Sequence, residues 1–398
     1  MADNLSLGAA KTAKNDEFYT QYSDIESEMN AYVEYNPDVF RGKTILLPCD
    51  DPEWSNFTKY FASNFERFGL KKLISTSYAK GAANRQLTIF EMLSPLYDEE
   101  LHETHGKLFT LTHDTNGSGS IDTDDIEFSG YLKGDGDFRS AEVCRLRDEA
   151  DIIITNPPFS LFQNFVKWIM EANKQFIIIG NQNSVSHKDI FPLIQSNQMW
   201  LGEPFSNGNA YFDVPDGADV SGYAKGVYDP VTKQVHFRNC RWYTNIDFGR
   251  RHDVLLLDTM AHNLKYNKKL MRQLNSKYGV SKYPHYANYD ALEVPFVEAI
   301  PSDYDGIMGV PRTFLDVYNP DQFEIIGRDG DLAWAERMGE FFTPPSPEIQ
   351  QEYKRQNKTW RVQNSYVVKN GVPETIYARL FIRPKKEGVT PNENNSSY

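Results

Sequence analysis

Asn156-Pro157-Pro158-Phe159 closes an apolar run, Ile152-Ile153-Ile154-Thr155. Its residue types suit one kind of chemistry. Two consecutive prolines fix φ and remove two backbone N–H donors, so the carbonyl of Pro157 is offered in a stiff frame. The side-chain oxygen of Asn156 offers a second acceptor beside it. Two fixed acceptors suit a planar amine with two N–H donors, and Phe159 offers a face to a flat ring. An exocyclic amine on a nucleobase swung out of its helix meets all three requirements. An Asn-Pro-Pro sequence can also be a plain stiffened turn after a core strand, so its position in the fold has to decide.

The elements around it supply that position. Short apolar runs at 43–48, 72–76, 151–155 and 175–180 predict central strands buried on both faces. Between the last two, Leu161, Phe162, Phe165 and Ile169 recur at helical spacing, with Ser160 as the expected N-cap. Strand, helix, strand in about 30 residues is a βαβ unit and implies a parallel sheet. Ligands of such sheets bind outside the carboxyl ends of the strands, where the tetrapeptide stands. After Pro215 the alternation fades and Tyr, Asn and basic residues increase. Two domains are therefore expected, 1–214 and 215–398. The stretch 343–358 reads as a linker at its start, 374–385 as a final strand, the first ~14 residues as flexible and the tail 387–398 as disordered.

The 398 residues carry a net charge of −13, unevenly spread. Residues 1–160 hold 28 acidic and 15 basic side chains, whereas the remainder is balanced with 27 of each. Residues 262–289 contain Lys265, Lys268, Lys269, Arg272, Lys277 and Lys282 and no acid, with Tyr266, Asn267, Tyr278 and Tyr283 between them. Such a stretch suits a phosphate backbone, or else a solvated helix face. Lys265, Lys268, Lys269 and Arg272 are the expected phosphate contacts. No run approaches the ~20 apolar residues of a membrane span, and the start lacks a signal peptide's apolar stretch. A soluble cytoplasmic protein with no membrane partner is expected. Three widely spaced cysteines, Cys49, Cys144 and Cys240, form no CxxC pair, which argues against a disulfide scaffold or a zinc site.

The tetrapeptide resembles the amine-binding motif of S-adenosylmethionine-dependent amino-methyltransferases, in which Asn-Pro-Pro-Phe implies methylation of adenine N6. Three further segments resemble the same enzymes. Residues 15–29 are similar to a cofactor segment placed before the first strand, with Tyr19 and Thr20 at the matching positions and Gln21 where proline is usual. Residues 43–61 match the first strand and cofactor loop through Pro48 and Cys49, but Asp50 and Asp51 stand where glycine is expected. The resemblance implies that Asp50 faces the cofactor, where its carboxylate could pair with an ammonium group. Asp137 and Phe138 match a Gly-Asp-Phe element nineteen residues before Asn156, in which the Asp accepts from the cofactor's adenine amine and the next residue packs on the ring. The glycine-free loop, together with 206–215 and 306–327, is similar to the EcoRI-type adenine methyltransferases.

This resemblance implies an α/β fold: a Rossmann-like class I methyltransferase with a mostly parallel sheet, followed by a C-terminal target-recognition domain. It implies S-adenosyl-L-methionine as cofactor, double-stranded DNA as partner and no metal, with no obligatory protein partner. It leaves room for a cognate restriction endonuclease. The amine grip alone also fits enzymes that methylate guanine N2 in ribosomal RNA or a glutamine amide in a protein. Those usually carry a glycine-rich loop and no large C-terminal domain. A catalytically silent DNA-binding relative is the remaining alternative.

One motif points elsewhere. Asp114, Asn116, Ser118, Asp122 and Asp125 fall at ligand positions of an EF-hand loop, with Gly119 at its turn. Residues 107–113 before it read as a strand, so the helix–loop–helix frame is missing. A hairpin turn is the expected form.

Overall fold

The computed structural model describes residues 19–50, 55–79, 92, 94–205, 210–214, 226–356, 363–369, 372–376 and 378–385. The start expected as flexible, the tail expected as disordered and residues 206–209 and 215 lie outside the described residues. The chain divides into two compact units, 1–249 and 250–398.

In chain order, the first unit contains β1 (Tyr19–Thr20), β2 (Thr44–Leu47), β3 (Lys72–Thr76), β4 (Lys107–Leu111), β5 (Glu127–Tyr131), β6 (Ile152–Thr155) and β7 (Gln175–Asn181). It continues with β8 (Trp200–Leu201), β9 (Ala210–Asp213), β10 (Tyr228–Asp229), β11 (Gln234–Phe237) and β12 (Cys240–Thr244). The four apolar runs thus form β2, β3, β6 and β7. They sit together in an eight-stranded sheet of order β5-β4-β3-β2-β6-β7-β12-β8. The β3-β2-β6-β7 centre is parallel, while both flanks are antiparallel. The sheet is therefore mixed, with its parallel part in the middle.

Every residue of β2 and β6 is buried. Ile45, Leu47, Ile152 and Ile154 join Tyr32, Phe57, Phe61 and Trp242 in one core. Among the helices of this unit are α1 (Tyr22–Tyr35), α2 (Asn56–Ser63), α3 (Ala141–Glu149) and α4 (Phe162–Glu171). In α1, Ile25, Met29 and Tyr32 form the buried stripe. Glu28 is buried beside them, accepting from the Tyr32 hydroxyl and, at 2.8 Å, from the backbone N–H of Glu203. Burial pushes its carboxyl up to about 8. In α4, Phe162, Phe165, Val166, Trp168 and Ile169 are buried. Ser160 does not cap this helix: a 3₁₀ turn over Phe159–Leu161 precedes it, closed by the Leu161 N–H to the Pro158 carbonyl at 2.9 Å. The double proline sets the approach to the helix, and Leu161 takes the N-cap position.

The boundary falls at 249/250 rather than 214/215, and the pairing explains the difference. β12 runs antiparallel against β7, with Trp242 opposite Ile179. β9 and β11 join β1 and β10 in a four-stranded sheet, with Thr20 opposite Phe212. β10, β11 and β12 follow residue 214 yet complete the first unit.

The second unit holds α5 (Met260–Tyr266), α6 (Lys268–Gln273), β13 (Leu292–Glu293), β14 (Met308–Pro311), β15 (Phe323–Arg328), α7 (Pro347–Arg355), β16 (Tyr366–Lys369), β17 (Val372–Thr375) and β18 (Arg379–Pro384). One sheet has the order β13-β14-β18-β15, and β16 pairs with β17. The expected single strand at 374–385 is therefore the end of β17 and then β18. The expected linker at 343–358 contains α7, started by Ser346, whose hydroxyl accepts from the Ile349 N–H, with Pro347 in the first turn. Glu293 and Arg379 form a buried ion pair at 2.7 Å, and the Tyr278 hydroxyl donates to the same carboxylate at 2.6 Å.

Candidate active site

The order of the central strands places the site. β2 lies between β3 and β6, so the chain leaves β2 to one side and returns on the other. Such a reversal opens a crevice outside the carboxyl ends of the strands. Pro48, Cys49 and Asp50 follow β2, Ser77 follows β3, and Asn156 to Phe159 follow β6. All stand at one edge because the three strands are parallel.

At that edge Asn156 is half-buried, Pro157 is buried, and Pro158 and Phe159 are half-buried. The Phe159 ring lies edge-on to Phe237 of β11, with centroids 6.2 Å apart and planes at 89°. It is one wall of an aromatic corner rather than a free surface ring. Thr20 is buried; its carbonyl accepts from Asn56 Nδ2 at 2.8 Å. Thr20 Oγ1 and Gln21 Nε2 are buried without a hydrogen bond among the described residues. Buried polar atoms in that state cost about 1–3 kcal/mol each unless a ligand or water meets them. Their position suits the polar end of a ligand. Tyr19 is placed here by its backbone pairing with Asp213.

The glycine-free loop is held by hydroxyl groups. Ser55 Oγ donates to Asp50 Oδ1 at 2.6 Å, and Thr155 Oγ1 donates to Asp50 Oδ2 at 2.7 Å. The Asp50 carbonyl accepts from Ser75, and the Pro48 carbonyl accepts from Thr76 Oγ1 at 3.0 Å. Asp50 is buried, and both carboxylate oxygens face these partners. Cys49 is half-buried.

The Gly-Asp-Phe element lies across the end of β3. A Cβ on Gly136, whose φ is +84°, would fall 2.4 Å from the Ser77 carbonyl oxygen, so only glycine fits. This close approach brings Asp137 toward the same edge. Arg139 clamps Asp137, with Nε to Oδ1 at 2.9 Å and Nη2 to Oδ2 at 2.5 Å. Phe138 is buried against Phe165 at 5.0 Å and Trp168 at 5.5 Å.

In the second unit, Lys265 lies on α5 and Lys268, Lys269 and Arg272 on α6, all exposed. Asn267 Oδ1 starts α6 by accepting from the Leu270 N–H at 3.0 Å, and buried Leu270 and Leu274 anchor the opposite face. Lys269 lies 4.0 Å from the Phe296 ring centroid and 3.8 Å from Glu298, while the Lys265 ammonium covers its neighbour Tyr266.

The hairpin expectation for the EF-hand-like loop holds, since β4 and β5 pair antiparallel around it. Its carboxylates turn to the loop's own amides: Asp114 accepts from Gly117 and Gly119 N–H at 2.7 and 2.8 Å, and Asp125 from Thr115 N–H at 2.8 Å. Among the described residues no group of three metal-binding side chains is gathered.

Sequence reasoning missed Ser55, Asn56, Ser75 and Thr155. Only Ser55 left a local signal, a capping residue before the apolar-periodic segment Asn56–Phe61, where it accepts from Phe57 N–H at 3.1 Å.

The family model for the adenine-specific methyltransferase EcoRI matches residues 6–385. The Type II methyltransferase M.EcoRI of Escherichia coli is 39% identical over 327 residues, covering 82% of this chain and 89% of that protein. The Type II methyltransferase M.MpnI of Mycoplasma pneumoniae is 34% identical over 320 residues, covering 80% and 83%. A third, M.MgeORF184P of Mycoplasma genitalium, is 33% identical over 326 residues, covering 80% and 84%. No solved structure matches the chain. With a match running through both units, the chain belongs to the EcoRI family of adenine-specific methyltransferases.

Proposed function

We propose that this adenine-specific methyltransferase uses S-adenosyl-L-methionine to methylate N6 of an adenine extruded from double-stranded DNA at a specific sequence. The single observation that carries the proposal is Asn156-Pro157-Pro158 at the carboxyl edge, where β2 lies between β3 and β6. When bound, the cofactor supplies a methyl group on an electrophilic sulfonium. Thr20 and Gln21 offer their buried, unbonded polar atoms to its polar end, and the Asp137 carboxylate, oriented by Arg139, offers an acceptor for its adenine amine.

Asn156 and the Pro157 carbonyl take the two N–H groups of the target amine. Accepting a hydrogen bond from each N–H draws that nitrogen toward tetrahedral geometry and returns its lone pair from the ring. The amine held this way would be the nucleophile toward the sulfonium methyl, and its surplus proton would pass to water after transfer, so Asn156 and Pro157 need not act as a strong base. The corner of Phe159 and Phe237 receives the flat ring. Stacking on an aromatic side chain contributes about 1–3 kcal/mol, which offsets much of the few kcal/mol needed to extrude a base. Lys265, Lys268, Lys269 and Arg272 take the phosphate contacts.

Asn156→Ala is expected to abolish methyl transfer while S-adenosyl-L-methionine binding, measured by calorimetry, stays close to wild type. Full transfer by that variant overturns the assignment. Expression of the wild type in a methylation-free host should leave N6-methyladenine within one short sequence by single-molecule sequencing. A modified guanine, or no modified base, overturns the substrate.

A further inference from the structure

Asp50 was expected to face the cofactor; its two carboxylate oxygens accept from Ser55 and Thr155. β2 and β6 are paired through Ile45 with Ile152 and Leu46 with Ile153. The ladder between the two strands ends with those pairs. The Thr155 to Asp50 bond, 2.7 Å, ties the two strands again past the end of the ladder, one residue before Asn156.

The other carboxylate oxygen reaches the opposite wall. Ser55 donates to it at 2.6 Å. The same hydroxyl accepts from Phe57 N–H and so starts α2. The next residue, Asn56, holds the Thr20 carbonyl at 2.8 Å. The direction of these bonds is fixed by donor count. Both hydroxyls donate to the carboxylate oxygens, and Ser55 keeps its lone pairs for the helix N–H groups. Likewise Ser75 donates to the Asp50 carbonyl, so Thr58, 3.2 Å from Ser75, must donate to Ser75. One carboxylate therefore joins the amine-gripping segment, the first turn of α2 and, through it, the Thr20 segment.

We infer that Asp50 is a positioning residue that sets the distance between Asn156 and the Thr20 segment by accepting from Thr155 and Ser55 together. In this loop a carboxylate braced by hydroxyls does the work of shape that glycines do where the backbone itself must approach closely. The inference rests on the function proposed above, in which Asn156 grips the substrate and Thr20 faces the cofactor.

The test is a double-mutant cycle on Asp50→Asn and Thr155→Val, with Thr155→Ser as the conservative variant. Two quantities are read: S-adenosyl-L-methionine affinity by calorimetry, and the single-turnover methyl-transfer rate at saturating cofactor and DNA. Thr155→Val should slow transfer by roughly 10- to 100-fold, the scale of a small misplacement of reacting groups, and leave cofactor affinity near wild type. Thr155→Ser keeps the hydroxyl and should restore the rate. Asp50→Asn should lower both quantities, and the double variant should be no slower than Asp50→Asn alone. A wild-type rate in Thr155→Val overturns the inference. So do rate losses that multiply in the double variant, or loss of cofactor affinity alone in Asp50→Asn, which makes Asp50 a cofactor ligand. Failure of the wild-type protein to methylate adenine sinks the proposed function instead.

Discussion

The Asp137 carboxylate meets its site already bound on one side by Arg139, and that arrangement narrows what it can do. A guanidinium fork fixes the plane of a carboxylate. Glu28 shows the opposite treatment of a carboxyl: it is buried and its ionisation is pushed up to about 8. In the unfolded chain it ionises near its ordinary 4.5, so between these values folding takes up a proton. The stability this contributes is fully present below the unfolded value, falls as pH rises, and levels off once the folded group ionises. Glu28→Gln cannot take up that proton. Between about pH 5 and 8 the unfolding free energy of Glu28→Gln should therefore rise relative to wild type, by at most ~1.4 kcal/mol per pH unit. Urea unfolding at several pH values checks this; a constant difference rejects it. The residue types at the edge were legible in the sequence, but their orientations were not. Phe138 turns inward because Phe165 and Trp168 surround it, and the partners of Asp50 include Thr155, 105 residues away.

At the scale of elements, the buried strands were legible because apolar runs of four to six residues have few alternatives. α7 was hidden by the polar, proline-containing composition of its segment, although Ser346-Pro347 is a helix start. The strands after residue 209 were hidden because their partners lie far back in the chain. α6 is the element whose role reads most directly: buried Leu270 and Leu274 on one side leave Lys268, Lys269 and Arg272 for solvent. Neighbours separate its two lysines, since Lys269 is partly engaged by Glu298 and the Phe296 ring. Lys268→Ala should lower the slope of log affinity against log salt by about 0.9, the value of one phosphate contact on duplex DNA. Lys269→Ala should lower it by less. Fluorescence anisotropy across a salt series measures both, and unchanged slopes remove these lysines from the phosphate contacts.

At the scale of the whole molecule, charge is divided between the two units. The proposed chemistry belongs to the unit of residues 1–249, where the acidic surplus lies, and the proposed phosphate contacts belong to the unit of residues 250–398. Reversing Lys265, Lys268, Lys269 and Arg272 to Glu should reduce DNA affinity by at least 10-fold, given the steep dependence on phosphate neutralisation. S-adenosyl-L-methionine affinity in the absence of DNA should stay as in wild type. Loss of both would mean that the basic helices serve the fold rather than the nucleic acid. The division itself was visible in the sequence as a change of texture, whereas its place was not, because strand pairing rather than composition decides where a unit ends.

The loop between β4 and β5 has a practical consequence. Asp114 and Asp125 tie it to its own backbone, and residues 115–120 between them are exposed. A segment that keeps its shape through its own bonds tolerates cargo at its tip. A peptide tag or a fluorophore placed between Gly117 and Ser120 gives a handle for immobilising the enzyme, or for fusing it to a programmable targeting protein, without touching the edge where methyl transfer is proposed.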